Sequence, residues 1–259
     1  MRRYCWLLLL LVVLSGTAYA QGDRDCLYQV STIDALMAGL YDGSMTLGEL
    51  KKHGDTGIGT FDKLDGEMVL LDGKVYQVKS DGSVSLPADS ITTPFAAVTS
   101  LDIDKSAALD TEMNLVRLIQ QLDTLAPSPN LFYVFRIDGE FKWVRTRSVP
   151  AQSKPYPMLV DVVAKQPTFE FGNVKGTLVA LRCPYYVKGV NVPGYHFHFL
   201  NSDRSRGGHL LDCVLVKGTV QMDETTSMQL VLPESKEFRE TRLDGATESD
   251  VHKVEKDTR

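Results

Sequence analysis

The amino-acid sequence predicts an α/β protein of two domains, with strand-rich mixed and antiparallel sheets and a few helices. Three observations point there. Short segments rich in aromatic and β-branched residues recur between turn signals, among them Asp-Gly pairs at 65–66, 72–73 and 81–82. Only a few segments carry the 3.6-residue apolar spacing of a helix. Strand-like sequence also becomes denser after a proline-rich stretch near Val149–Pro157. That shift sets an expected division into an N-terminal α/β domain (21–150), a C-terminal strand-rich domain (151–240) and a tail (241–259).

The first twenty residues stand apart from the fold. MRR is a positive leader, Tyr4–Leu14 is almost purely apolar, and Ala18-Tyr19-Ala20 has the small-x-small form of a signal-peptide cleavage site. The apolar run is too short to span a bilayer comfortably, so export to the periplasm or the medium is expected, without a membrane anchor after processing. Residues Leu27–Thr32 then read as a strand and IDALMAGLY as a helix. MTLGELKKHG reads as a second helix stopped at Gly54. The pieces GIGTFDKL, GEMVLLDG, KVYQVKSDG and SVSLP read as strands, and Ile91–Ile103 as extended chain. MNLVRLIQQL has helical spacing, while NLFYVFRIDGEFKWVRTRSV reads as a hairpin turning at Asp138-Gly139.

In the second half, PYPMLVDVVAKQP reads as a helix bounded by prolines. Four strand-like stretches follow: TFEFGNVKGTLVALRCPYYV, GYHFHFL, HLLDCVLVKGTVQMD and SMQLVLP. After Thr241 the chain is polar and highly charged, and composition alone predicts disorder there.

With 28 basic against 33 acidic residues the formal charge is −5, and the basic residues are dispersed. That argues against a nucleic-acid surface. Once Cys5 leaves with the leader, Cys26, Cys183 and Cys213 remain, widely spaced and odd in number. They make no disulfide framework and no CxxC pattern, so a single bridge and buried free thiols both stay open.

Chemistry concentrates in Gly194–Leu210, GYHFHFLNSDRSRGGHL, which holds His196, His198 and His209 out of only 5 histidines. On a strand, period two puts His196 and His198 on one face and Phe197 on the other. The polar, glycine-containing NSDRSRGG turns the chain, and the returning strand brings His209 beside His198. Three converging neutral imidazoles suit a divalent transition metal, zinc above all, and leave coordination positions open for substrate. Two alternatives share these residues. Asp203 with His196 and His198 would make a two-histidine, one-carboxylate iron site of a cupin-like oxygenase, although aspartate is common in turns for conformational reasons. A purely structural metal would make the protein an exported metal- or ligand-binding module without catalysis.

The stretch GYHFHFL…DR…GGHLLD closely resembles the zinc-site signature of bacterial alpha-acetolactate decarboxylases. GIGTFDKLDGEMVLLDGKVYQ, TPFAAVTS and VRTRSVPAQSKPYPML resemble that family's other characteristic segments, in order, over essentially all the mature chain. The departures are Phe197, where a smaller aliphatic residue is commoner, and three cysteines the signature does not require. The resemblance implies a two-domain α/β fold, a homodimer, one Zn2+ per chain, and decarboxylation of a small 2-hydroxy-3-oxo acid, 2-acetolactate, to acetoin. It implies His196, His198 and His209 as zinc ligands, Glu67, Arg147 and Glu255 as catalytic residues, and Arg147 and Thr60 as substrate contacts. It further implies that the tail carrying Glu255 folds back over the zinc site. Without the resemblance, Glu67 reads as a hairpin residue, Arg147 as a solvated strand face, Thr60 as an ordinary strand residue and Glu255 as tail charge. His53 reads as serving a helix terminus and His252 as solvated.

Overall fold

The computed structural model describes residues 25–245 and 247–255, apart from the side chains of Glu248, His252 and Glu255. The expected export signal at 1–20 and the side chains of Glu255 and His252 therefore lie outside the described residues. The first strands are β1 (Cys26–Val30), β2 (Met45–Thr46), β3 (Thr56–Thr60), β4 (Glu67–Leu71), β5 (Lys74–Val78), β6 (Val84–Ser85), β7 (Thr92–Thr93) and β8 (Ala96–Thr99). They are followed by β9 (Lys105–Leu109), β10 (Met113–Asn114), β11 (Phe132–Arg147), β12 (Thr168–Cys183), β13 (Gly194–Asn201), β14 (Gly207–Thr225) and β15 (Ser227–Val231). The helices are short: α1 (Ile33–Met37), α2 (Leu47–Leu50), α3 (Leu115–Leu125), α4 (Leu159–Val163), α5 (Lys236–Glu240) and α6 (Glu248–Glu255). Thr32, Thr46, Asn114 and Ser235 start four of them, each side chain accepting a hydrogen bond from the amide three residues on.

One sheet runs β15-β1-β8-β3-β4-β5-β6, antiparallel except for the parallel β15–β1 pair. Its central strands are covered on both faces, and β4 shows how. Met68 and Leu70 pack with Leu47, Leu50 and Phe61 on one side. Val69 and Leu71 pack on the other with Val134, Val179, Leu181 and Leu200 of the second sheet. Period two thus makes one strand serve two cores.

The second sheet is built on three long strands, with β11 between β12 and β14. Strand β13 pairs with β12 along one edge and, through His198–Leu200, with the start of β14 on the other. The pairing circuit β11–β12–β13–β14 closes on itself and leaves no free edge there. Phe135, Ile137, Phe141, Leu178, Phe197 and Phe199 fill its core, and α3 adds Leu118 and Leu122.

Several expectations are corrected. Asp138-Gly139 is not a turn but the middle of the 16-residue β11. A type I′ hairpin turn needs positive φ at both positions, as at Asp72 (φ 52°) and Gly73 (φ 71°), and neither Asp138 nor Gly139 has positive φ. Gly139 instead faces Gly176 of β12 and Gly218 of β14, a row of three glycines across the sheet. A Cβ at Gly139 would meet Leu215 at 2.6 Å, so the glycine permits close packing rather than reversal. Sheet membership does not follow chain order: β9, β10 and β11 precede residue 150 yet belong to the second sheet, and β15 follows it yet belongs to the first. The tail departs from its composition, since α6 is helical and Val254 is buried among Ile33, Leu36, Leu159 and Val163.

Candidate metal centre

Three neighbouring strands carry the centre. On β13, His196 and His198 point to the same buried face, and Phe197 points into the core opposite. Across the turn, His209 on β14 lies opposite His198, and Arg147 on β11 lies opposite His209. His198, His209 and Arg147 therefore stand in one row across the sheet, as cross-strand neighbours do.

The first sheet closes over this row. The Nδ1–H of His198 donates to the Met68 carbonyl of β4 at 2.7 Å, which leaves Nε2 with the lone pair. The Glu67 carboxylate, at the head of β4, lies 3.5 Å from that Nε2. Thr60 pairs with Glu67 across β3–β4, and its hydroxyl donates to the Gly66 carbonyl at 2.7 Å, holding the turn that leads into Glu67.

The imidazole nitrogens converge. His196 Nε2 is 3.2 Å from His198 Nε2 and 3.0 Å from His209 Nδ1, and the three candidate ligand atoms lie within 4.8 Å of one another. Ligands on one tetrahedral ion with bonds of about 2.0–2.1 Å stand about 3.3 Å apart, which both His196 distances match. The electrostatics agree. Burial, reinforced by the Arg147 charge, pushes the His196 imidazole down to about 3. Burial and then His196 hold His198 well below its ordinary value. Both rings are neutral in ordinary solution, the state in which imidazole ligates.

Thr60, Glu67, Arg147 and the three histidines line a small cavity between the sheets. Arg147 is only 4% exposed and Glu67 9%, so both meet the cavity in a weakly screened setting. The rest of the lining is apolar and comes from α1, α4 and Val254 of α6, together with Leu64, Phe95 and Val149. The sequence missed this wall and the Met68 carbonyl. The Ile33/Leu36 spacing could have marked the α1 contribution, whereas a backbone acceptor leaves no trace in side-chain identity.

Asp203 is not at the centre. It is exposed and accepts from the Ser205 hydroxyl at 2.8 Å and the Ser205 amide at 3.4 Å, holding the turn between β13 and β14. The carboxylate of the iron-oxygenase alternative is thus engaged elsewhere. Cys26, Cys183 and Cys213 are free thiols, and burial pushes Cys183 and Cys213 up to about 12. His53 stacks on Tyr28 with ring centroids 3.6 Å apart and lies 3.7 Å from Glu49, so it ties the end of α2 to β1.

The chain matches the family model described as alpha-acetolactate decarboxylase over residues 27–245. The alpha-acetolactate decarboxylase of Methanosarcina mazei is 52% identical over 232 residues, 90% of this chain and 81% of that one. The Bacillus subtilis enzyme of the same name is 43% identical over 218 residues, 84% and 86% of the two chains. A crystal structure of the Bacillus subtilis enzyme is similar with a TM-score of 0.88 and 41% identity, covering 90% of this chain and all (100%) of that one. A Staphylococcus aureus protein described as similar to alpha-acetolactate decarboxylase gives 0.83 at 31% identity, over 88% and 97% of the two chains.

Proposed function

This chain belongs to the alpha-acetolactate decarboxylase family of carboxy-lyases, and from that premise we propose that it converts 2-acetolactate to acetoin and carbon dioxide with one zinc ion held by His196, His198 and His209. The observation that carries the reading is the set of imidazoles converging beside a buried arginine and a buried glutamate on one cavity. Zinc bound there would supply Lewis-acid stabilisation of the charge that builds on the substrate's ketone oxygen, on the order of several kcal/mol.

The chain's own residues supply the rest. The substrate is a 2-hydroxy-3-oxo acid. When its C1–C2 bond breaks, the electron pair moves from C2 into the ketone to give an enediolate, and C2 must then take a proton. Arg147 is permanently cationic and offers a planar fork of donors, so it orients the departing carboxylate. Its burial keeps water from screening that charge. Glu67 stands beside His198 at the edge of the cavity, where a carboxyl group can transfer a proton to or from the reacting atoms. Glu255, matched by the family resemblance to an active-site residue, is assigned proton transfer together with Glu67. Thr60 shapes the turn that presents Glu67 and adds a polar wall beside the substrate. The apolar wall limits access of bulk water to the enediolate. The small-x-small leader supports export to the periplasm or medium, and family membership supports a homodimer.

The test is direct. Purified protein is incubated with racemic 2-acetolactate, acetoin is followed with and without chelator, and zinc is then restored. Turnover should vanish on chelation and return with zinc. Full turnover in metal-free protein would refute the zinc-dependent reading.

A further inference from the structure

The cavity lining is part polar and part apolar. The side chains that β3, β4, β11, β13 and β14 bring to it include every polar one, Thr60, Glu67, Arg147 and the three histidines. The helices bring only apolar ones, Ile33 and Leu36 from α1, Leu159 and Val163 from α4, and Val254 from α6, and the segments between elements add Leu64, Phe95 and Val149. A 2-hydroxy-3-oxo acid has the same two-sidedness. Its carboxylate, hydroxyl and ketone oxygens need the polar strands, and its two alkyl substituents are left to face the helices. The opposite placement would strip hydrogen-bond partners from both ligand and site.

Building on the function proposed above, we infer that Val254 is the specificity-determining residue for the length of the substrate's alkyl substituents. Val254 is 3% exposed and packs against the same cluster as the α1 and α4 side chains. Ile33, Leu36, Leu159 and Val163 also hold α1 and α4 to the rest of the fold, so changing them alters the scaffold. The tail helix is mostly polar and meets this cluster through Val251 and Val254, three positions apart on one face. Of these two, Val254 lines the cavity and Val251 does not. Adding one carbon or removing two at Val254 therefore changes the depth of the cavity, while removing two at Val251 alters only how the helix sits.

The experiment uses the full chain and compares kcat/KM for 2-acetolactate with that for its two ethyl homologues, 2-ethyl-2-hydroxy-3-oxobutanoate and 2-hydroxy-2-methyl-3-oxopentanoate. The ratio is read in wild type, Val254→Ala, Val254→Ile and Val251→Ala. Because Val254 adjoins Glu255, absolute rates can change for every substrate, and only the ratio reports the wall. One methylene in an apolar pocket is worth roughly 10–200-fold in discrimination. Val254→Ala should therefore raise the homologue-to-acetolactate ratio about tenfold for at least one homologue, and Val254→Ile should lower it. Val251→Ala should leave it within about twofold, since that side chain adds nothing to the wall. Ratios unchanged in both Val254 variants, or moved equally by Val251→Ala, overturn the inference. A wild type inactive on all three acids overturns the decarboxylase reading itself, and the inference with it.

Discussion

Asp223→Asn should stabilise the protein above neutral pH and not in acid. Asp223 lies on β14 opposite Val134 and is fully buried, facing the seam between the two sheets. The Asp102 amide donates to its carboxylate at 3.2 Å, and the nearby charges, Asp104, Asp25 and Asp102, are all acidic. Burial first, and then these like charges, push the Asp223 carboxyl from 3.8 up to about 7. The folded state thus binds the proton more tightly than the unfolded chain. Between the unfolded and folded values stability falls as pH rises, and above the folded value the whole penalty is present. A shift of about three units corresponds to about 4 kcal/mol as a ceiling, at 1.36 kcal/mol per unit. Asparagine keeps an acceptor for the Asp102 amide and carries no charge. Urea unfolding of wild type and variant, in chelator and at a series of pH values, isolates this one group because other titrations cancel in the difference. The variant's advantage should be near zero around pH 4 and grow to about 2–4 kcal/mol by pH 8. A difference that stays flat across that range would refute the argument.

His198→Ala should abolish stoichiometric metal binding while the far-ultraviolet spectrum stays folded, and full zinc occupancy by elemental analysis would remove His198 from the ligand set. Arg147→Lys keeps the charge and loses the fork; kcat/KM should fall about 10–100-fold with zinc content unchanged, and unaltered kinetics would exclude a positioning role. Deleting the chain from Ser249 onward removes Val251 and Val254 together with Glu255, so acetoin formation should collapse in a folded, zinc-loaded core. Wild-type turnover in that truncation would show the tail to be dispensable. Gly176→Ala would drive a Cβ into the Phe199 ring and to 2.7 Å from the Leu200 carbonyl, costing about 1–3 kcal/mol, and an unchanged urea midpoint would show that the glycine row is not tight.

What could be read without the structure was local. A period of two and a polar turn suffice to bring His196, His198 and His209 together, because all three lie on consecutive strands of one hairpin. The Asp72-Gly73 reversal was legible for a similar reason, since both residues must take positive φ and their types permit it. Asp138-Gly139 shows the limit: the same dipeptide serves sheet packing when glycines on both neighbouring strands face it. Sheet membership was hidden because β15 returns to β1 across nearly the whole chain, a pairing no local pattern encodes. Glu67 and Arg147 gain meaning only when β4 docks on β13 through His198 and Met68. The tail read as disordered because its charge outweighs two valines whose partners lie far away in sequence.

The hairpin that unites the histidines also separates two events in the life of the molecule. Its contacts are short in chain distance, and hairpins of this kind form on the order of microseconds. The Glu67 and Arg147 contacts span far longer loops and must wait until the sheets have met, a slower search. On the zinc reading proposed above, a nascent or damaged chain can bring the three imidazoles together and still lack a reaction chamber. On that reading metal content would report mainly the hairpin, whereas turnover would report the assembly of the whole chain. A purification followed by zinc alone would collect incompetent molecules along with competent ones.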